Sequence, residues 1–138
     1  MNDRKVAVAA CTGLDQPFGT VARKAAYKVL DELRPDKTVL LCTPALIAGV
    51  EEDVVYAKEN PVLVIDGCSQ GCCEKIVCDV GGRVSCVVTV EDVLKEHPDL
   101  KPESRRKLGT GGEKLVDLTA GLAVEEVDRL LEMEEKEE

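Results

Sequence analysis

Four cysteines in this chain stand where one thiol could meet another. Cys68 and Cys72 bracket the turn Asp66-Gly67-Cys68-Ser69-Gln70-Gly71-Cys72, directly after the apolar run Val62-Leu63-Val64-Ile65. Cys11 closes the run Val6-Ala7-Val8-Ala9-Ala10, and Cys42 closes Thr38-Val39-Leu40-Leu41. Thiols gathered in this way support three chemistries. Four thiolates hold zinc in a tetrahedron, and such closed sites usually brace a fold. The same residues suit an iron–sulfur cluster. A pair such as Cys68 and Cys72 can instead attack and resolve in redox or sulfur-transfer chemistry.

What brings these thiols together is the order of elements around them. Residues 6–10 read as a first strand, followed by a Gly- and Pro-containing loop over 12–19. A helix then carries Val21, Ala22, Ala25, Ala26, Val29 and Leu33 on one face and stops at Pro35. Residues 38–41 and 62–65 predict the second and third strands, with a short helical segment over 45–49 and a helix over 53–59 between them. After Cys68, Ser69 is a good N-cap for a helix reaching about Val80. That cap would put Cys72 at the third helical position, where the dipole and free N–H groups favour a thiolate. Residues 84–90 predict a fourth strand and 91–97 a helix; 101–112 reads as a polar loop, 115–118 as a weak fifth strand, and 124–133 as the last helix.

Strand alternating with helix implies a parallel sheet with right-handed crossovers. The expected fold is therefore α/β, a single three-layer domain over residues 1–138, with a mostly parallel, Rossmann- or flavodoxin-like sheet of four or five strands. Ligands of such sheets bind beyond the carboxyl ends of the strands. Cys11, Cys42 and Cys68 all fall at such ends, so the cysteine cluster belongs at the C-terminal edge of the sheet.

Composition narrows the function. The net charge is −9 and aromatic residues make up 2% of the chain, without Trp, so phosphate backbones are repelled and stacking platforms are lacking. Nucleic acid is excluded as a partner on this ground. No apolar run approaches a membrane span, and no signal segment opens the chain, which points to the cytoplasm. In that reducing compartment, seven cysteines serve as metal ligands or redox groups rather than disulfides. Residues 134–138 read as a frayed, solvated acidic tail.

Several residues receive blander roles. Cys86 reads as a small hydrophobe within a strand, and Cys73 shares a core-facing helix stripe with Ile76, Val77 and Val80; Cys78 falls opposite that stripe and is exposed. Asp66 shapes its turn. Arg23 and Lys24 are solvated surface, and His97, the lone histidine, is a surface residue ending a helix before Pro98. The segment Gly109-Thr110-Gly111-Gly112-Glu113-Lys114 lacks phosphate-loop spacing, and the loop over 13–19 lacks GxGxxG. No catalytic residue is assigned.

The Asp66-Gly67-Cys68 turn with Cys72 resembles the signature of the DGC domain family, described as zinc-binding through four chelating cysteines. Further matching pieces are Cys11-Thr12-Gly13, the stretch Gly19-Thr20-Val21-Ala22-Arg23-Lys24-Ala25-Ala26, and Cys42 through Ala48-Gly49. The resemblance spans about the first ninety residues. It implies that Cys11, Cys42, Cys68 and Cys72 chelate one Zn2+. Thr12 stands where serine is common, and Cys73, Cys78 and Cys86 are additional. An accessory, metal-sensing or metal-handling protein follows from this, with a metal ion as its partner. The alternatives are a thiol oxidoreductase or sulfur-transfer enzyme using Cys68 and Cys72, and an iron–sulfur protein using all four cysteines.

Overall fold

A computed structural model describes residues 4–137, with side chains described as far as Glu134. Four strands form the sheet: β1 (Val6–Ala10), β2 (Thr38–Leu41), β3 (Pro61–Asp66) and β4 (Arg83–Thr89). They are all parallel and ordered β2-β1-β3-β4. β1 and β3 are buried along their whole length, as expected of central strands covered on both faces. This is the flavodoxin-like order, in which the chain winds outward in opposite directions from β1 and β3.

Two helical layers cover the sheet. On one face lie α1 (Pro17–Lys28), continued by a π-helical turn over Val29–Leu33, together with α5 (Val90–Glu96) and α6 (Gly109–Glu137). On the other lie α2 (Thr43–Ala48), α3 (Glu51–Glu59) and α4 (Cys72–Asp79). Each layer builds its own aliphatic core, Val8, Leu63 and Ile65 facing α1 and α6, and Val62, Val64 and Leu46 facing α4. Burying each such side chain contributes about 1.5–3 kcal/mol. Among the described residues, no helix is long and apolar enough to cross a membrane.

The C-terminal third departs from expectation. Residues 115–118 are not a strand, and the final helix starts at Gly109 rather than near 124. The buried positions Leu115, Thr119, Ala123, Val127 and Leu130 recur every three or four residues, and that stripe can be buried only as one helix face. The stripe continues to Glu134, which is 5% exposed and so not part of a solvated tail. Arg4 Nη1 donates to its Oε2 at 2.7 Å and Arg83 Nη2 to its Oε1 at 2.9 Å, which satisfies the buried carboxylate. The helix runs on through Glu137; Glu138, the last residue of the expected tail, lies outside the described residues.

A row of exposed ion pairs stitches α1 and its extension to α6: Lys24 with Glu113 at 3.0 Å, Lys28 with Asp117, and Arg34 with Asp128 at 2.8 Å. Exposed pairs of this kind contribute little each, because solvent and salt screen them. Farther along, the Thr20 hydroxyl donates to the Arg105 carbonyl at 2.8 Å and ties the 101–108 segment to the first turns of α1.

Candidate thiol cleft

β1 hands Cys11 to the site still in sheet register. Its N–H donates to the Ile65 carbonyl at 2.9 Å, one step beyond the last β1–β3 pair, Ala10 with Ile65. The chain then turns back, and the Gly13 N–H points at the Cys11 sulfur at 3.4 Å, fixing where that sulfur sits. Gly19 lets the loop lie flat on the start of α1, because a Cβ there would collide with the Gly13 carbonyl. α1 itself opens on Pro17, whose missing N–H is no loss at a first helical position.

The second wall begins at the end of β3. Asp66 is 1% exposed, and its carboxylate accepts the N–H of Cys73 at 2.9 Å and of Glu74 at 3.2 Å. Burial pushes its acidity towards the neutral form, and those two N–H groups oppose that push. Asp66 therefore does more than shape a turn: it anchors the first turn of α4 from beneath. Ser69 is not the N-cap. Residues 68–71 form a tight turn closed by Gly71 N–H to the Cys68 carbonyl at 3.2 Å, and Ser69 N–H is donated to Glu91. Gly71, at φ +64°, takes the cap position, a left-handed conformation that suits glycine. Cys72 consequently sits at the first helical position of α4 and Cys73 at the second, not at the third and fourth.

Together these pieces enclose a cleft of about 280 Å³ between the ends of β1 and β3, lined by Cys11, Cys68, Cys72, Cys73 and Thr43 among others. This is where strand order reverses, the place where open parallel sheets bind ligands. Three of the four predicted chelators, Cys11, Cys68 and Cys72, line it. Cys42 does not. It is exposed, its N–H donates to Asp53 Oδ2 at 3.1 Å, and its carbonyl accepts the Leu46 N–H as α2 begins.

The reason is strand parity. Cys42 remains extended (φ −84°, ψ 114°) between Leu41 and Thr43, both of which are buried. Leu41 packs in the core beneath α4, and Thr43 touches Cys73 of that same core. Side chains alternate along extended chain, so the residue between them faces the other way.

Sequence reasoning missed Thr43 as a cleft residue and read Cys73 chiefly as core. Thr43 donates its hydroxyl to the Ala10 carbonyl at 2.9 Å and lies 3.6 Å from the Cys73 sulfur. Cys73 was expected to be core, and it is 1% exposed, yet it also lines the cleft. Burial pushes its thiol up to about 12. The signals were the odd–even phase of 41 and 43, and the adjacency of Cys73 to a thiol at a helix start.

The other cysteines are elsewhere. Cys78 is exposed on α4, and Cys86 on β4 is half-buried, packs against the core as expected, and also donates its thiol to Glu126 at 3.1 Å. All seven are free. Among the described residues, no three Cys, His, Asp or Glu side chains stand close enough to hold a metal ion as they lie. The thiols of the cleft would have to rotate towards one another to do so.

No curated protein and no solved structure matches the chain. The family model described as the DGC domain matches residues 7–110, which take in β1 to β4 and every wall of the cleft. The chain belongs to the DGC domain family.

Proposed function

We propose that the protein binds one zinc ion in the cleft through cysteine thiolates, as a metal-handling or metal-sensing protein of the cytoplasm. One observation carries the reading: Cys11, Cys68 and Cys72, from the ends of two central strands and the start of a helix, line a single cleft at the switch point. The donor set fits the metal, since thiolates are favoured ligands of zinc and the cleft offers several from separate elements. Each thiol gives its proton to water as its metal–sulfur bond forms, so binding is proton-coupled. The chain's own contribution is positional. Gly13 N–H holds the Cys11 sulfur, and Asp66 fixes the helix start that carries Cys72.

The test is metal analysis of protein purified anaerobically without an affinity metal, with an absorption spectrum alongside. One equivalent of zinc, lost on replacing Cys11, Cys68 or Cys72 by serine, is the expected result. Iron with visible absorption would move the same thiols to an iron–sulfur cluster. Metal-free protein with a reversible Cys68–Cys72 disulfide would replace the reading with thiol redox chemistry.

A further inference from the structure

We propose that the fourth sulfur of the metal centre is Cys73 rather than Cys42, so that the site is Cys11, Cys68, Cys72 and Cys73. This inference rests on the cleft being a metal site. It concerns which sulfurs complete that site.

Cys73 already lines the cleft with the other three thiols. Cys42, by contrast, lies outside the cleft wall. Bringing Cys42 inside is a backbone problem. Its N–H is held by Asp53, its carbonyl caps α2, and turning it inward would turn Thr43 outward, away from the Ala10 carbonyl. Three hydrogen bonds are at stake. Cys73 needs no such rearrangement to reach the cleft: it already lines it, with its backbone N–H held at the helix start by Asp66.

Enclosure favours the same choice. Four-thiolate zinc sites are closed to solvent. Cys73 is buried and supplies a floor to the cleft, whereas Cys42 is exposed on the outer side of the sheet edge. Thr43 adds a hydroxyl 3.6 Å from the Cys73 sulfur, a supporting partner of the kind that orients metal ligands. If Cys73 binds the metal, its proton would leave to water and its sulfur would supply the electron pair.

The wild-type protein itself provides the test. The reduced full chain, with and without one equivalent of cadmium, is treated with iodoacetamide and mapped peptide by peptide. Cys42, being exposed, should be alkylated at the same rate with and without cadmium, while Cys11, Cys68 and Cys72 become protected. In parallel, Cys73→Ser should weaken cadmium binding by more than the roughly 10–100-fold expected for loss of a supporting partner, and Cys42→Ser should leave it unchanged. Should Cys73→Ser fail to fold by circular dichroism, Cys73→Ala and the wild-type alkylation decide. Protection of Cys42 by cadmium, or loss of binding in Cys42→Ser, overturns the assignment of Cys73 and leaves the metal site standing. Cadmium that protects no cysteine overturns both.

Discussion

The ends of β1 and β2 are neighbours in the sheet and both close on a cysteine, yet they serve different purposes. Cys11, at the inner strand end, is locked in register with β3 and faces a cleft. Cys42, at the outer edge, faces away, and its backbone is used to start α2. Each wall has a carboxylate beneath a backbone N–H: buried Asp66, at the end of β3, under Cys73 and Glu74, and half-buried Asp53, on α3, under Cys42. Being at a strand end is thus not sufficient to place a thiol in the site. The phase of the strand and the switch in strand order decide which end faces a cleft.

That contrast can be broken experimentally, and the largest effect should come from the inner thiols. Cys11→Ser and Cys68→Ser should each reduce zinc affinity, read by chelator competition, by more than about 100-fold, beyond what loss of a supporting residue costs. Unchanged affinity in either variant would remove the inner end's special status. Next come the two carboxylates. Asp66→Ala deprives two helix N–H groups of their acceptor and should lower stability by about 2 kcal/mol in urea unfolding, whereas Asp53→Ala should cost about 0.5 kcal/mol. Equal losses would mean that burial does not separate the two ends.

Smaller effects refine the picture. Thr43→Val removes the hydroxyl that bonds the Ala10 carbonyl and should cost about 1 kcal/mol by the same measurement. Thr119, wholly buried on α6, has a hydroxyl without a hydrogen-bond partner, so Thr119→Val should stabilise the protein by about 1 kcal/mol. The smallest effect concerns Cys86. Burial, then its bond to Glu126, pushes this thiol up from 9.0 to about 11, so the folded chain holds a proton that the unfolded chain releases. Its contribution is fully present below pH 9.0 and lost as pH rises to about 11. A melting-temperature profile of Cys86→Val should lack that alkaline decline.

Much of this was readable in the sequence because central parallel strands announce themselves. Val62-Leu63-Val64-Ile65 and Val6-Ala7-Val8-Ala9-Ala10 are unbroken apolar runs, and both are buried throughout. The parallel sheet followed from alternation of strand and helix, which left the Rossmann-like and flavodoxin-like orders both open. What short windows could not reveal was phase and length. Leu115-Val116-Asp117-Leu118 looks like a strand in isolation and becomes helix only through the stripe that extends to Glu134. Ser69 is an ordinary cap residue, but Asp66 reaches the free N–H groups of α4 from the strand below, leaving the cap position to Gly71. The cleft was legible as a place, and its full list of walls was not, because Cys42 and Thr43 exchange roles through a single step of alternation.

The most direct measurement is the zinc X-ray absorption spectrum of the wild-type protein, which counts the ligands by element. A shell of four sulfurs at about 2.3 Å, with no nitrogen or oxygen, is the expected result. A shell dominated by oxygen or nitrogen, or protein that retains no zinc, would contradict a thiolate centre in the cleft.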